Sequence, residues 1–272
     1  MSLKLDYCFH SHTYRCGHAS GDIEDYVKKA IENGFKYYGV SDHVFLPGIS
    51  QPTVRGEFSC LEDYIETFYK AKEKYKDQIE LFLAFECEYA PVFVDYFKYL
   101  LNERHFDYLI CGQHMAIEDD KTHWWCLDKG IEGINRYKND VIEAMKSGLF
   151  LYLAHPDLFF LRVKEITPFI QQITDEIIDA ALKYDVPLEL NIQGLYRKEK
   201  EAKYGNICYP AEYFWERASK RGVKVVIGGD YHDPDRIGDP DKLAIIEEFV
   251  DKYNLNLISV DEVLERIKKI HQ

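Results

Sequence analysis

Seven short apolar or β-branched runs punctuate the chain: LKLDYCF (3–9), FKYYGVS (35–41), IELFLAF (79–85), FDYLICG (106–112), LFLYLAH (149–155), VPLELNI (186–192) and VKVVIGG (223–229). Each has the length and composition of a strand. Between most of them lie stretches with helical spacing. In GDIEDYVKKAIENG (21–34), Ile23, Tyr26, Val27, Ala30 and Ile31 fall on one face. Asp22 stands where an acidic side chain favours a helix start, and Gly34 where glycine favours an end. Similar spacing predicts helices near 60–77, 132–147, 170–184, 210–221, 241–253 and 261–270. Strands alternating with helices predict a parallel α/β arrangement, either a closed barrel or an open doubly wound sheet. No Gly/Ser/Pro-rich linker, low-complexity segment or clear repeat divides the chain, so residues 1–272 are expected to form one domain. Residues 44–59 and 113–130 read as long loops, which in compact folds often carry function.

Composition narrows the classes. Of 272 residues, 46% are hydrophobic, enough for a substantial core, and the formal net charge is −13. Such a balance repels phosphate backbones, so nucleic acid is not an expected partner. The seven cysteines are odd in number and scattered without a C-x-x-C pair, which suits free thiols in a reducing compartment. No apolar run approaches the roughly 18 to 20 residues that span a bilayer, and the N-terminus lacks the marks of a signal peptide. A soluble cytoplasmic protein without a membrane partner is therefore expected. Its oligomeric state is left open.

The chemistry lies in where the runs end. His10 and His12 follow the first, Asp42 and His43 the second, Glu86 and Glu88 the third. His114 follows the fourth, His155 ends the fifth, Asn191 ends the sixth, and Asp230 and His232 follow the seventh. Metal-type ligands thus recur at the C-terminal ends of the strands, where parallel α/β folds build their active sites. His10/His12, Glu86/Glu88 and Asp230/His232 are i, i+2 pairs, whose side chains share one face of an extended segment. A lone H-x-H is more often a surface pair than a ligand set, but independent accidents at six strand ends are implausible. By contrast His105, His123 and His271 fall in a connection, a loop and the C-terminal tail; His105 and His271 are read as ordinary surface residues, and His123, beside Trp124 and Trp125, as part of a packed loop in preference to the pocket mouth.

Together FHSHTYRCGHAS, GVSDH, AFECEY, GQHM, AHPD, LELN and GGDYH resemble the polymerase-and-histidinol-phosphatase (PHP) family, most of all its stand-alone histidinol-phosphate phosphatases. The motifs run in order along the whole chain. The resemblance implies a distorted TIM-like (β/α)7 barrel with three divalent transition-metal ions at the C-terminal ends of its strands. Carried over by motif, His10, His12, Glu86 and Asp230 would hold one ion. Glu86, His114 and His155 would hold a second, and His18, His43 and His232 the third. One departure is Gln113, where relatives often carry a small residue, and ligation is not expected to change with it. Asp42, Glu88, Asp157 and Asn191 are read as supporting or substrate groups, with turn capping a plausible fate for Asp157.

Imidazole-rich ligation favours zinc, iron or manganese over magnesium or calcium. Clustered divalent ions suit hydrolysis of a small phosphate monoester by a metal-bridging hydroxide. The implied substrate is L-histidinol phosphate, which would place the enzyme in histidine biosynthesis. Asp42 is the expected proton-transfer group. Arg162 and Arg197, which follow strand ends, are the expected phosphate clamps, with Arg197 preferred and Arg15 weaker. Acidic residues of AIEDD (116–120) are a possible seat for the substrate ammonium. The alternative is a phosphoesterase of the same family acting on another small ester or on nucleic-acid ends.

Overall fold

The computed structural model describes residues 5–271, so Leu3 and Lys4 of the first expected strand lie outside the described residues. Strands and helices alternate as β1 (Tyr7–Cys8), α1 (Ile23–Glu32), β2 (Tyr37–Val40), α2 (Leu61–Tyr75), β3 (Glu80–Cys87), α3 (Val94–Asn102) and β4 (Tyr108–Cys111). A small hairpin follows, β5 (Met115–Ile117) and β6 (His123–Trp125), then α4 (Gly130–Ser147) and α5 (Pro168–Tyr184). The chain continues through β7 (Leu188–Asn191), α6 (Gln193–Glu201), α7 (Glu212–Lys220) and β8 (Lys224–Gly228). It closes with α8 (Pro240–Tyr253), β9 (Asn256–Leu257) and α9 (Val260–Ile270).

β1 to β4 pair in parallel in sequence order, as do β7, β8 and β9. The fifth expected strand joins the two groups through one residue: Leu153 bridges in parallel to Cys111 on one side and to Leu188 on the other. Backbone hydrogen bonds from Leu151 to Leu109 and from Glu189 to Leu153 flank that bridge. Beyond β8, Tyr231 bridges back to Ser11 just after β1, with His12 N–H donating to Tyr231 O at 2.8 Å. The result is a curled parallel sheet consistent with a distorted barrel. Among the described residues no helix is long and apolar enough to cross a membrane.

Local chemistry explains the elements. Asp22 caps α1 with a capping box closed by Asp25, and Gly34 follows its end at φ +77°. Ile23, Tyr26, Val27 and Ala30 are buried, and α1 packs on α2 and β2. Each large apolar side chain so placed contributes roughly 1.5–3 kcal/mol. Pro168 and Pro240 open α5 and α8 at positions whose N–H groups need no partner. β3 is buried along all but its first residue, as a strand covered on both sides must be.

The expected helices stand where the spacing put them, within about three residues at their ends. Four elements were not expected: α3, α6, β9 and the β5–β6 hairpin inside the loop at 113–130. The hairpin strands are three residues each, too short to carry an alternation.

Candidate metal centre

Nine side chains converge where the strands end. His12 Nε2 lies 3.1 Å from His10 Nε2 and 3.0 Å from Asp230 Oδ1. His10 Nε2 stands 3.5 Å from both Glu86 Oε1 and Asp230 Oδ1. Glu86 Oε1 is 2.7 Å from His155 Nε2 and 3.8 Å from His114 Nε2, while Oε2 is 3.0 Å from His43 Nδ1. His18, His43 and His232 form an adjoining group, with His18 Nε2 and His232 Nε2 3.0 Å apart. Each of the three motif-implied sets is therefore brought together in space. Cys16 lies within the same reach of His12 and His232, a neighbour that the scattered cysteines gave no reason to expect.

The backbone is shaped for this cluster. His155 and Asp230 both adopt left-handed backbone, at φ 29° and 50°, a region that costs ordinary residues energy and recurs at functional sites. At Gly112 a Cβ would sit 1.8 Å from Glu86 Oε1, so only glycine leaves that carboxylate its place. Gly228 does the same for Glu189, whose Oε1 would lie 1.7 Å from a Cβ there.

The donor set fits divalent metal. Glu86 Oε2 and His43 Nδ1, which face each other at 3.0 Å in the cluster, are buried without a hydrogen-bond partner among the described residues. Orphaned donors and acceptors in such a place call for an explanation, and ligation supplies one for the oxygen and nitrogen atoms that face the cluster. The closeness of these groups also sets their charges. Burial opposes the charge on His10, yet Glu189, Asp230 and Glu86 hold its imidazole well above the ordinary range. His12 is likewise pushed up to about 9 against its burial, chiefly by Asp230 and Asp42. Burial and the charge of His12 push His43 down to about 4. Burial opposes ionisation of Glu86, but His114, His43 and His10 hold it well below the usual carboxylate range.

Supporting groups fix the inner ones. Glu189 accepts from His10 Nδ1 at 2.7 Å, from the His155 backbone N–H at 3.0 Å and from Asn191 Nδ2 at 2.8 Å. The first contact sets the tautomer that turns His10 Nε2 toward the cluster. Glu189 escaped the sequence reading, although its place two residues before Asn191 in LELN put both on one face. Asn191 also donates to Asp230 Oδ2 at 3.2 Å and accepts from Gly194 N–H at 2.9 Å. Asp157 opens the turn at Leu158–Arg162, but its side chain makes no capping hydrogen bond there. Its carboxylate accepts from Ala211 N–H at 2.7 Å and Trp215 Nε1 at 2.9 Å, and burial pushes it up to about 6.

Asp42 is fully buried, accepts from Thr13 and from the His43 N–H, and lies 3.6 Å from His12 Nδ1. It stands behind His12 and does not line the cleft. Arg162 and Arg197 do line it, a cavity of about 410 Å³ over His18, His43, His114 and His232. Arg15 is committed elsewhere, to Asp22 and Asp63. Gln113 is buried and holds Tyr89 and Met115 rather than the cleft wall. AIEDD does not face the cavity: Glu118 pairs with Arg136, and Asp120 accepts from Thr122. Besides Asp230, the cleft's carboxylates are the exposed Asp128 and the half-buried Glu201. Of the remaining histidines, His123 is exposed in β6 and His271 bonds to Asp107 O, both outside the cluster.

A curled parallel sheet thus carries a histidine-rich cluster at its strand ends. The PHP domain pattern matches residues 9–193, and the chain belongs to that family. It is 24% identical over 236 residues to a Deinococcus radiodurans protein named "Probable histidinol-phosphatase", covering 84% of this chain and 87% of that one. A Schizosaccharomyces pombe protein of the same name is 23% identical, covering 93% and 88%. The fold is also that of the histidinol phosphate phosphatase of Lactococcus lactis, solved with zinc, L-histidinol and phosphate: TM-score 0.69, 17% identity, 94% of this chain and 96% of that one. Proteins so named are phosphoric monoester hydrolases.

Proposed function

We propose that this chain is a metal-dependent phosphoric monoester hydrolase whose substrate is L-histidinol phosphate, cleaved to L-histidinol and phosphate. The observation that carries the reading is Glu86, whose two oxygens face different histidines at the base of an open cleft. Family membership and the names of the relatives support the reaction class.

His10, His12, Glu86 and Asp230 would hold one divalent transition-metal ion, Glu86, His114 and His155 a second, and His18, His43 and His232 a third. Zinc, manganese or iron suits these donors. Bound there, such ions supply a water of lowered pKa and positive charge for the phosphoryl oxygens. The chain's own residues supply binding and orientation. Arg197 and Arg162 present guanidinium groups to the cleft, where each can pair with phosphate oxygens. Trp125 and Tyr209 give aromatic walls for an imidazole, and Asp128 and Glu201 carboxylates for an ammonium group. Asp42, fully buried with its Oδ1 3.6 Å from His12 Nδ1, would place negative charge beside that imidazole; it is not among the residues that line the cleft.

Elemental analysis of protein prepared with zinc or manganese should give two to three ions per chain. Phosphate release from L-histidinol phosphate should be lost on chelation and restored by metal. Less than one ion per chain, or release indifferent to chelation, contradicts the reading.

A further inference from the structure

Arg55 lies in the irregular stretch at 44–59 and is fully buried, a rare fate for a permanently charged side chain. Its Nε donates to Gln51 Oε1 at 2.7 Å and its Nη1 to Val44 O at 3.0 Å. The same Nη1 stands 2.9 Å from Glu88 Oε2, an ion pair without hydrogen-bond geometry, and among the described residues Nη2 has no hydrogen-bond partner. Glu88 is itself buried, and its other oxygen, Oε1, lies 3.2 Å from His114 Nδ1. The opposite ring nitrogen, His114 Nε2, points to Glu86 Oε1 at 3.8 Å. A continuous line of contacts therefore runs from Arg55 through Glu88 and His114 to the carboxylate at the middle of the cluster.

We propose that Arg55 is a positioning residue of the metal centre: it fixes the Glu88 carboxylate, which in turn holds His114 with Nε2 turned toward Glu86. This rests on the reading of His114 as a ligand. The physical reason is that a carboxylate accepting from one imidazole nitrogen sets the tautomer and ring angle of the other, and such partners commonly change metal affinity 10- to 100-fold. A buried carboxylate needs a cation beside it to stay where it is, and Arg55 is the cation that contacts Glu88. Thr53 and Val54, two residues and one residue before Arg55, line the cleft, so the same side chain ties the cleft wall to the ion-binding floor.

The test is zinc retention against a competing chelator for Arg55→Met and Arg55→Lys, each made in the otherwise unchanged protein and in a His114→Ala background, with melting temperatures measured alongside. Arg55→Met should weaken retention of one zinc ion by about 10- to 100-fold. Arg55→Lys, which can reach Glu88 but cannot reproduce the fork to Gln51 and Val44 O, should fall between. In the His114→Ala background neither change should weaken retention further, because the ligand through which Arg55 acts is gone. Equal losses in both backgrounds would reduce Arg55 to a structural residue and overturn the proposal, as would unchanged retention in both variants. If Arg55→Met does not fold, the Lys variant in the two backgrounds decides alone. Zinc absent from the unsubstituted protein sinks the metal reading itself, whereas zinc bound normally with Arg55 indifferent sinks only this proposal.

Discussion

Glu86 Oε1 lies 2.7 Å from His155 Nε2 although 69 residues separate the two side chains, one inside β3 and the other beyond the Leu153 bridge. Only the parallel stacking of β3, β4 and the Leu153 segment brings them together. Glu86 turns its second oxygen to His43, so one carboxylate joins two groups of imidazoles. His155→Ala should remove one ion without touching the apolar core. The expected result is at least a 100-fold fall in kcat/KM, about 3 kcal/mol, with unchanged circular dichroism and one ion fewer by elemental analysis. Full metal content with full activity would take His155 out of the site.

Gly112→Ala tests the same centre from behind. The new Cβ would occupy the place of Glu86 Oε1, which must then swing away from His155. Metal content should fall along with activity. If the variant binds metal and turns over normally, the carboxylate is not needed where it stands.

Arg197→Ala should lower kcat/KM for a phosphate ester by about 2 to 4 kcal/mol, the scale of a lost charge-assisted contact in the transition state, while metal content stays normal. Arg162→Ala, measured in parallel, ranks the two arginines of the cleft. Ordinary kinetics in both variants would make them surface charges.

Much of this centre was legible in the sequence because strand ends and i, i+2 spacing are local properties. His10, His12, Glu86, His155 and Asp230 could be read off as ligand types at strand ends before any fold was drawn. Glu189 and Arg55 could not be singled out as easily, because their importance is a matter of what they touch across the fold. A glutamate in an apolar strand and an arginine in a long loop acquire meaning only once His10 and Glu88 are found beside them. Similarly, α6 carries five charges in nine residues and buries only Gly194 and Leu195, too little periodicity to announce a helix. Asp42 was legible as a carboxylate beside a candidate ligand, but the sequence did not show that it is fully buried, with His12 Nδ1 3.6 Å away.

Asp140 gives a prediction about stability. Burial pushes its carboxyl up to about 6, against the pull of Arg136 in the same helix. Between about pH 4 and 6 the folded protein therefore holds a proton that the unfolded chain has released, and stability falls as pH rises through that window. Asp140→Asn cannot titrate. The stability of the unsubstituted protein relative to this variant, from denaturant unfolding, should fall by up to about 3 kcal/mol between pH 4 and 6. A difference that is flat with pH, or rises, would contradict the burial of that charge.

The central claim is that this cleft and its metals serve a small phosphate monoester, L-histidinol phosphate. The most direct measurement compares kcat/KM for L-histidinol phosphate, a generic aryl phosphate and single-stranded DNA, with the same metal-loaded preparation. L-Histidinol phosphate should lead by at least about 100-fold, on the order of 3 kcal/mol of differential transition-state binding. An aryl phosphate hydrolysed as well would mean another ester or a generalist, and preference for DNA would replace the phosphatase reading with a nuclease.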